Sequence, residues 1–209
     1  MYLPEHFREE RPEVLAPFIA AHLLGMLVTL DGGRAAVDLI PMMLEVDAGG
    51  ARLHGHVARA NPVAKRVPPG GEVLVVFTGA QHYVTPSWYA SLQVDGRVVP
   101  TWNYSTVQVR GSIRWFDDAP QLLALVSRLT ATHEAPLSEP WLVSDAPRDY
   151  IETMLRAIVG FEIAVESMTG KFKNSQNRNE PDRAGVARGL EAAGVDAAAA
   201  AELVREPRR

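Results

Sequence analysis

Residues 79–89, GAQHYVTPSWY, bring together one His, two Tyr, one Trp, one Thr and one Ser with no charged residue. The run is too polar for plain core and too aromatic for a plain loop, and it has the composition of a surface that meets a flat, polar, unsaturated ligand. Upstream, Arg59-Ala60-Asn61-Pro62-Val63-Ala64-Lys65-Arg66 ends a strand in a cation and opens a helical turn. Unpaired amides at such a start attract an anion, and three cations stand within one or two turns of it. The segment reads as a phosphate cradle or as a capped turn with surface cations. His54 and His56 alternate in a strand and so share a face, about 7 Å apart. With His82 they make a zinc or iron set, or else hydrogen-bonded histidines lining a polar cavity. No carboxylate or further His stands at matching spacing, and no metal is assigned.

Tyr83, Trp88, Tyr89, Trp102 and Tyr104 serve either to stack on a planar ring or to pack two sheets or two subunits. Lys171, Lys173, Ser175, Gln176, Asn177 and Arg178 form a donor-rich segment. It is a solvated tail, or a contact for an anionic ligand if it folds back over the sheet. No Ser-His-Asp spacing, nucleophile elbow or paired-carboxylate cluster occurs, so no catalytic residue is assigned.

The elements that must position these groups follow from periodicity. A helix is predicted over 12–22, with Pro12 at its first position and Pro17 shortening it. Strands are predicted at 23–30, 35–46, 51–60, 72–79, 105–116 and 159–167, with a further extended piece at 98–104. Asp31-Gly32-Gly33 and Asp47–Gly50 are hairpin turns. Pro41 lacks a ladder donor and marks a bulge, an edge or a site where something else meets the backbone. Asn61 caps a single helical turn at 61–67. Helices are predicted at 120–134 and 147–159, separated by a proline-rich loop rather than by a DNA-reading turn. Strands closing on themselves with helices outside suggest a small β-barrel.

The chain has 209 residues, no Cys and a formal net charge of −4. That allows a substantial core without disulfides and argues against a protein that coats phosphates. No apolar run reaches the roughly 18 residues of a membrane span and no secretory leader is legible, so a cytoplasmic protein with no membrane partner is expected.

Five stretches, MYLPEHF, HGHVARANP, GAQHYVTPSWY, VPTWNY and GKFKNSQNR, together resemble the PaiB family of FMN-binding negative transcriptional regulators. That family is a branch of the FMN-binding split-barrel fold also used by pyridoxamine 5′-phosphate oxidase. The resemblance covers residues 1–178; residues 179–209 are expected to be a helical or flexible C-terminal tail. It implies a mainly β protein with flanking helices, a six-stranded antiparallel split β-barrel. Two chains would form a homodimer with FMN in clefts at the subunit boundary. The resemblance places the FMN phosphate near Arg59, Asn61 and Lys65, and the Pro41 strand at the isoalloxazine edge. His54 and His56 line the cavity, and Tyr83, Trp88 and Trp102 flank the ring or the dimer seam. Lys171 and Gln176 reach the cofactor from the partner chain. Val63 and Ala64 depart from the aromatic or basic run expected after Ala60-Asn61-Pro62. Any DNA would be reached indirectly or through a basic patch. The alternative is an FMN-dependent oxidoreductase using NAD(P)H on the same scaffold.

Overall fold

The computed structural model describes residues 1–204; the last five residues of the expected C-terminal tail, 205–209, lie outside the described residues. The chain forms two compact units. The terminal unit takes residues 1–18, 78–108 and 168 onward, and the inner unit takes 19–77 and 109–167.

In chain order, a two-residue strand β1 (Arg8–Glu9) precedes helix α1 (Pro12–Ala21). Strands β2 (Leu24–Asp31), β3 (Arg34–Pro41), β4 (Met43–Asp47) and β5 (Gly50–Ala58) follow. The short helix α2 (Val63–Arg66) leads into β6 (Gly71–Val84) and β7 (Thr101–Phe116). Helices α3 (Ala119–Glu134) and α4 (Arg148–Arg156) precede β8 (Ile158–Lys173), and α5 (Glu180–Ala192) and α6 (Ala197–Glu202) end the described chain.

The β2–β3 hairpin turns on Gly32 and Gly33, with φ of 56° and 82°. Two successive positive φ values make the tight turn whose twist matches its strands, and Asp31 pairs with Arg34 across it. The hydrogen-bonded order is β3-β2-β6-β7-β8-β5-β4, with β1 paired to β8. The sheet therefore has eight strands rather than the expected six, and it does not close. The predicted strand 35–46 breaks into β3 and β4, which stand at the two ends of this order yet are separated only by Met42. To put both ends at one residue, the inner unit's sheet must curl, leaving the split between them. Pro41 sits at that corner, paired with Leu24 on an edge strand where its missing N–H costs no ladder bond. β1 escapes sequence reading because two residues carry no period.

Inside the curl, Leu27, Leu53, Val75, Phe77, Phe161 and Ile163 are fully buried. Helix α3, capped by Asp118, lays Leu122, Leu125 and Leu129 toward the sheet. Gly160 permits that approach: a Cβ there would lie 3.0 Å from the Leu122 side chain of α3 and 2.5 Å from the Phe116 ring of β7. Pro17 stays inside α1, and α4 stops at Arg156 because β8 already begins at Ile158.

In the terminal unit, α5 and α6 bury Val186, Leu190, Ala200 and Leu203 with Val84 and Tyr89. No helix is long and apolar enough to cross a membrane among the described residues.

Candidate functional site

The inner unit gathers six of the predicted site residues: Pro41, His54, His56, Arg59, Asn61 and Lys65. Asn61 stands one residue before the N-cap of α2, which is Pro62, and its Oδ1 accepts from the Val63 amide at 2.9 Å, closing a side-chain turn at the helix start. Its Nδ2 donates to Asp38 Oδ1 at 3.0 Å, and Arg66 Nη2 donates to Asp38 Oδ2 at 2.7 Å. Asp38 thus ties α2 to β3, with 15% of the Arg66 side chain and 18% of the Asp38 side chain exposed. Lys65 is exposed. Arg59 is held differently from the expectation. Its Nε and Nη2 donate to the carbonyls of Arg156 and Ile158 at 2.8 and 3.1 Å, and its Nη1 lies 3.2 Å from Asp117. Its fork secures the start of β8.

Beside α2 lies a cleft of about 560 Å³ lined by Thr29, Arg66, Gly71, Glu72, Arg110 and Glu166, among others. Thr29 is 3% exposed, and its Oγ1, like Arg66 Nε, is buried without a hydrogen-bond partner. Buried polar atoms are rarely left so, and two of them lining one cleft point to a polar occupant. Thr29 belongs to none of the motifs of the sequence. Its signal is a hydroxyl at an inward position of the otherwise apolar run LLGMLVTL.

His54 is buried on β5. Its Nε2 lies 3.0 Å from Glu45 Oε2 and its Nδ1 4.0 Å from Glu162 Oε2. Arg128 of α3 holds Glu45 at 3.0 Å, and Arg114 lies 3.5 Å from Glu162. Burial pushes the His54 pKa below the usual imidazole range, against the pull of the two carboxylates. Burial alone does the same to His56. His82 belongs to the terminal unit, with its Nδ1 2.5 Å from the Tyr83 carbonyl. Among the described residues, no group of three or more His, Asp or Glu is placed to hold a metal.

The lowered histidines carry a pH dependence. Unfolded histidine titrates near 6.5, so below that value the unfolded chain takes up protons first. Stability is full above about pH 6.5 and falls as pH drops, by up to about 1.4 kcal/mol per pH unit for each such residue. Denaturant unfolding of His56→Gln at pH 7.5 and 5.5 is expected to show a smaller acid loss than the parent. Equal losses would place the acid sensitivity elsewhere.

Trp88, Trp102, Lys171 and Gln176 lie in the terminal unit. Trp88 packs on α5, where a Cβ on Gly189 would come within 2.2 Å of its ring. Gln176 is turned inward: its Oε1 accepts from the Asn174 amide at 2.7 Å and its Nε2 donates to the Phe172 carbonyl. Asn174 Nδ2 donates to Ser105 Oγ at 3.0 Å and to the Glu202 carbonyl at 2.7 Å. Asn103 Nδ2 donates to Ser175 Oγ and to the Leu203 carbonyl, both at 2.8 Å. These amides satisfy carbonyls at the C-terminal end of α6, which a helix leaves unpaired. Within the donor-rich segment 170–178, Asn174, Ser175 and Gln176 are thus turned inward, while Lys171 and Lys173 are only partly buried. The signal was an Asn and a Ser at the inward positions of TWNYS, visible only once β7 is placed.

A family model described as "Putative FMN-binding domain" matches residues 1–167. The Bacillus subtilis protease synthase and sporulation protein PAI 2 is 30% identical, over 87% of this chain and 85% of its own. An uncharacterized protein of Emericella nidulans is 34% identical, over 99% of this chain and 97% of its own. The flavocytochrome Anf3 from Azotobacter vinelandii superposes with a TM-score of 0.61 at 13% identity, covering 88% of this chain and 78% of that one. An FAD and heme binding protein from Mycobacterium smegmatis gives 0.56 at 17%, covering 88% and 80%. At such identities these two report the fold, a mainly antiparallel sheet with flanking helices. The chain belongs to the FMN-binding domain family, the PaiB family that its motifs resemble, and FMN is that family's cofactor.

Proposed function

We propose that this protein binds FMN through its inner unit, as a homodimer with a role in negative transcriptional regulation. The carrying observation is the cleft beside α2, where Thr29 Oγ1 and Arg66 Nε are buried without partners. These two donors suit the phosphate end of a flavin nucleotide, since charge-assisted bonds to phosphate are the strong ones, and the exposed Lys65 stands outside the cleft lining on the same short helix as Arg66. Asn61 shapes the turn that presents them, and Arg59 anchors the strand behind it. The corner at Pro41, with His54 and His56 kept neutral by burial, suits the ring end. When bound, FMN supplies the redox chemistry, and the protein holds and orients it.

One face of the β2–β3 hairpin supports the dimer. Leu24, Leu30, Val37 and Leu39 are 54%, 69%, 57% and 64% exposed. The paired register puts them on one face with Met26, Val28, Ala35 and Pro41. An apolar patch of this kind marks an interface. The regulatory role rests on the motif resemblance to the PaiB family of negative transcriptional regulators, with DNA reached indirectly or through a basic patch.

Titration with FMN, read by flavin fluorescence together with the mass in solution, tests the reading. Saturation at one FMN per chain in the micromolar range is expected, at twice the 22.8 kDa chain mass. Lys65→Ala should weaken binding about tenfold, the loss of one charge-assisted bond. No FMN uptake would remove the proposal, and uptake by a monomer would remove its dimer. Turnover of NAD(P)H by the FMN-loaded protein would shift the reading to an oxidoreductase.

A further inference from the structure

We propose that the outer sheet face of the terminal unit is a stacking surface for the unpaired bases of a single-stranded nucleic acid. Along β7 the side chains alternate. Asn103 and Ser105 are buried at 1% and 2% exposure, so Trp102 and Tyr104 stand on the opposite face. Trp102 is 52% exposed and meets Tyr83 of β6, which is 44% exposed, edge to face at 6.3 Å between ring centroids. Lys171 of β8 sits over Tyr104 at 5.4 Å and over Tyr2 at 5.6 Å, and Tyr2 is 83% exposed. Lys173 donates to the Trp102 carbonyl at 2.7 Å. Arg8 of β1 pairs in register with Lys171 and so joins the same face. Four aromatic rings and three cations therefore share one open sheet surface.

The chemistry selects the occupant. Exposed aromatics on a sheet give bases their π faces, and neighbouring cations meet the backbone phosphates. Glu5 and Glu10 offset Arg8, at 3.5 and 2.7 Å, so Lys171 and Lys173 carry the charge complementarity. A duplex hides its base faces and would gain only the phosphate contacts. A lone small molecule calls for a concave pocket, and this surface is an open sheet. The proposal rests on FMN binding away from this face, in the inner unit as proposed above.

The test is fluorescence anisotropy of a labelled twelve-nucleotide oligo-dT with the full chain at low salt. Saturable binding is expected, tighter than a Kd of about 0.1 mM and with a log–log salt slope of about −1.4 to −2.1 for two to three phosphates. Trp102→Ala should weaken it at least about fivefold, while Trp102→Phe keeps most of it. Lys171→Gln should flatten the salt slope by about 0.7. Absence of saturation would overturn the proposal, as would an unaffected Trp102→Ala variant. Equal affinity for a duplex of the same length would mark a plain polyanion contact and overturn it too. Displacement of the oligonucleotide by stoichiometric FMN would assign the face to the flavin and likewise sink the idea, whereas retention alongside bound FMN supports it.

Discussion

Arg66→Ala is expected to destabilise the protein by about 3 kcal/mol, the usual cost of removing one partner from a largely buried ion pair. For a chain of this size that is a fall in Tm of roughly 6–12 °C. The reason is Asp38. With 18% of its side chain exposed it is largely out of water, and Arg66 is its charged partner at 2.7 Å. Losing Arg66 leaves the carboxylate with one amide donor, Asn61 Nδ2. A double variant, Arg66→Ala with Asp38→Asn, should recover much of the loss, because the unpaired charge is gone. The same double variant should still bind FMN poorly, since Arg66 Nε is one of the two unpartnered donors in the cleft. That split separates the structural role from the binding role. Recovery of both stability and FMN affinity would show that the cleft does not use Arg66, and an unchanged Tm in the single variant would show that the pair contributes nothing.

Gly189→Val is expected to release the C-terminal helices from the rest of the terminal unit. A Cβ at Gly189 would lie 2.2 Å from the Trp88 ring, and one at Gly185 would lie 1.9 Å from the Trp88 carbonyl oxygen. Side-chain atoms do not approach so closely, so α5 must move away. Movement uncovers Val84, Tyr89, Val186, Leu190 and Leu203, all nearly fully buried. Fully burying one such side chain contributes about 1.5–3 kcal/mol, so partial exposure of several costs on the order of 3 kcal/mol or more. Even Gly189→Ala should destabilise: alanine gains up to about 1 kcal/mol of helix propensity over glycine, less than the clash removes. Limited proteolysis is the direct readout. The variants should be cut near residues 177–196 under conditions that leave the parent whole. Resistance equal to the parent's would show that α5 tolerates the displacement without exposing its core face.

Much was legible from local pattern. The glycines at 32 and 33 announced a turn that only φ > 0 residues make easily, and the hairpin turns there. Asn61 before Pro62 marks a helical turn, and the turn is there, with Pro62 as its N-cap and the Asn61 side chain bonded to the Val63 amide. The leucines at 122, 125 and 129 share a helical stripe, and all three are buried. The motifs resemble the FMN-binding family to which the chain belongs. What escaped was whatever depends on a partner distant in sequence. Strand 72–79 runs on to Val84, and 159–167 to Lys173, through residues that keep no clear apolar alternation of their own. Arg59 looks like a free cation beside a helix start, yet its fork is spent on carbonyls 97 and 99 residues away. Trp88 and Gln176 look like ligand contacts, and their surroundings are α5 and the turn after β8. The alanine-rich C-terminus reads as marginal because its own helix signal is weak, and it is ordered by burial against Trp88 and by the amides of Asn103 and Asn174. Composition and spacing determine which conformations a segment prefers and which chemistry it carries. Only the folded chain decides which donors already have acceptors, and so which cations and hydroxyls remain for a ligand, because hydrogen bonds and burial are settled between segments rather than within them.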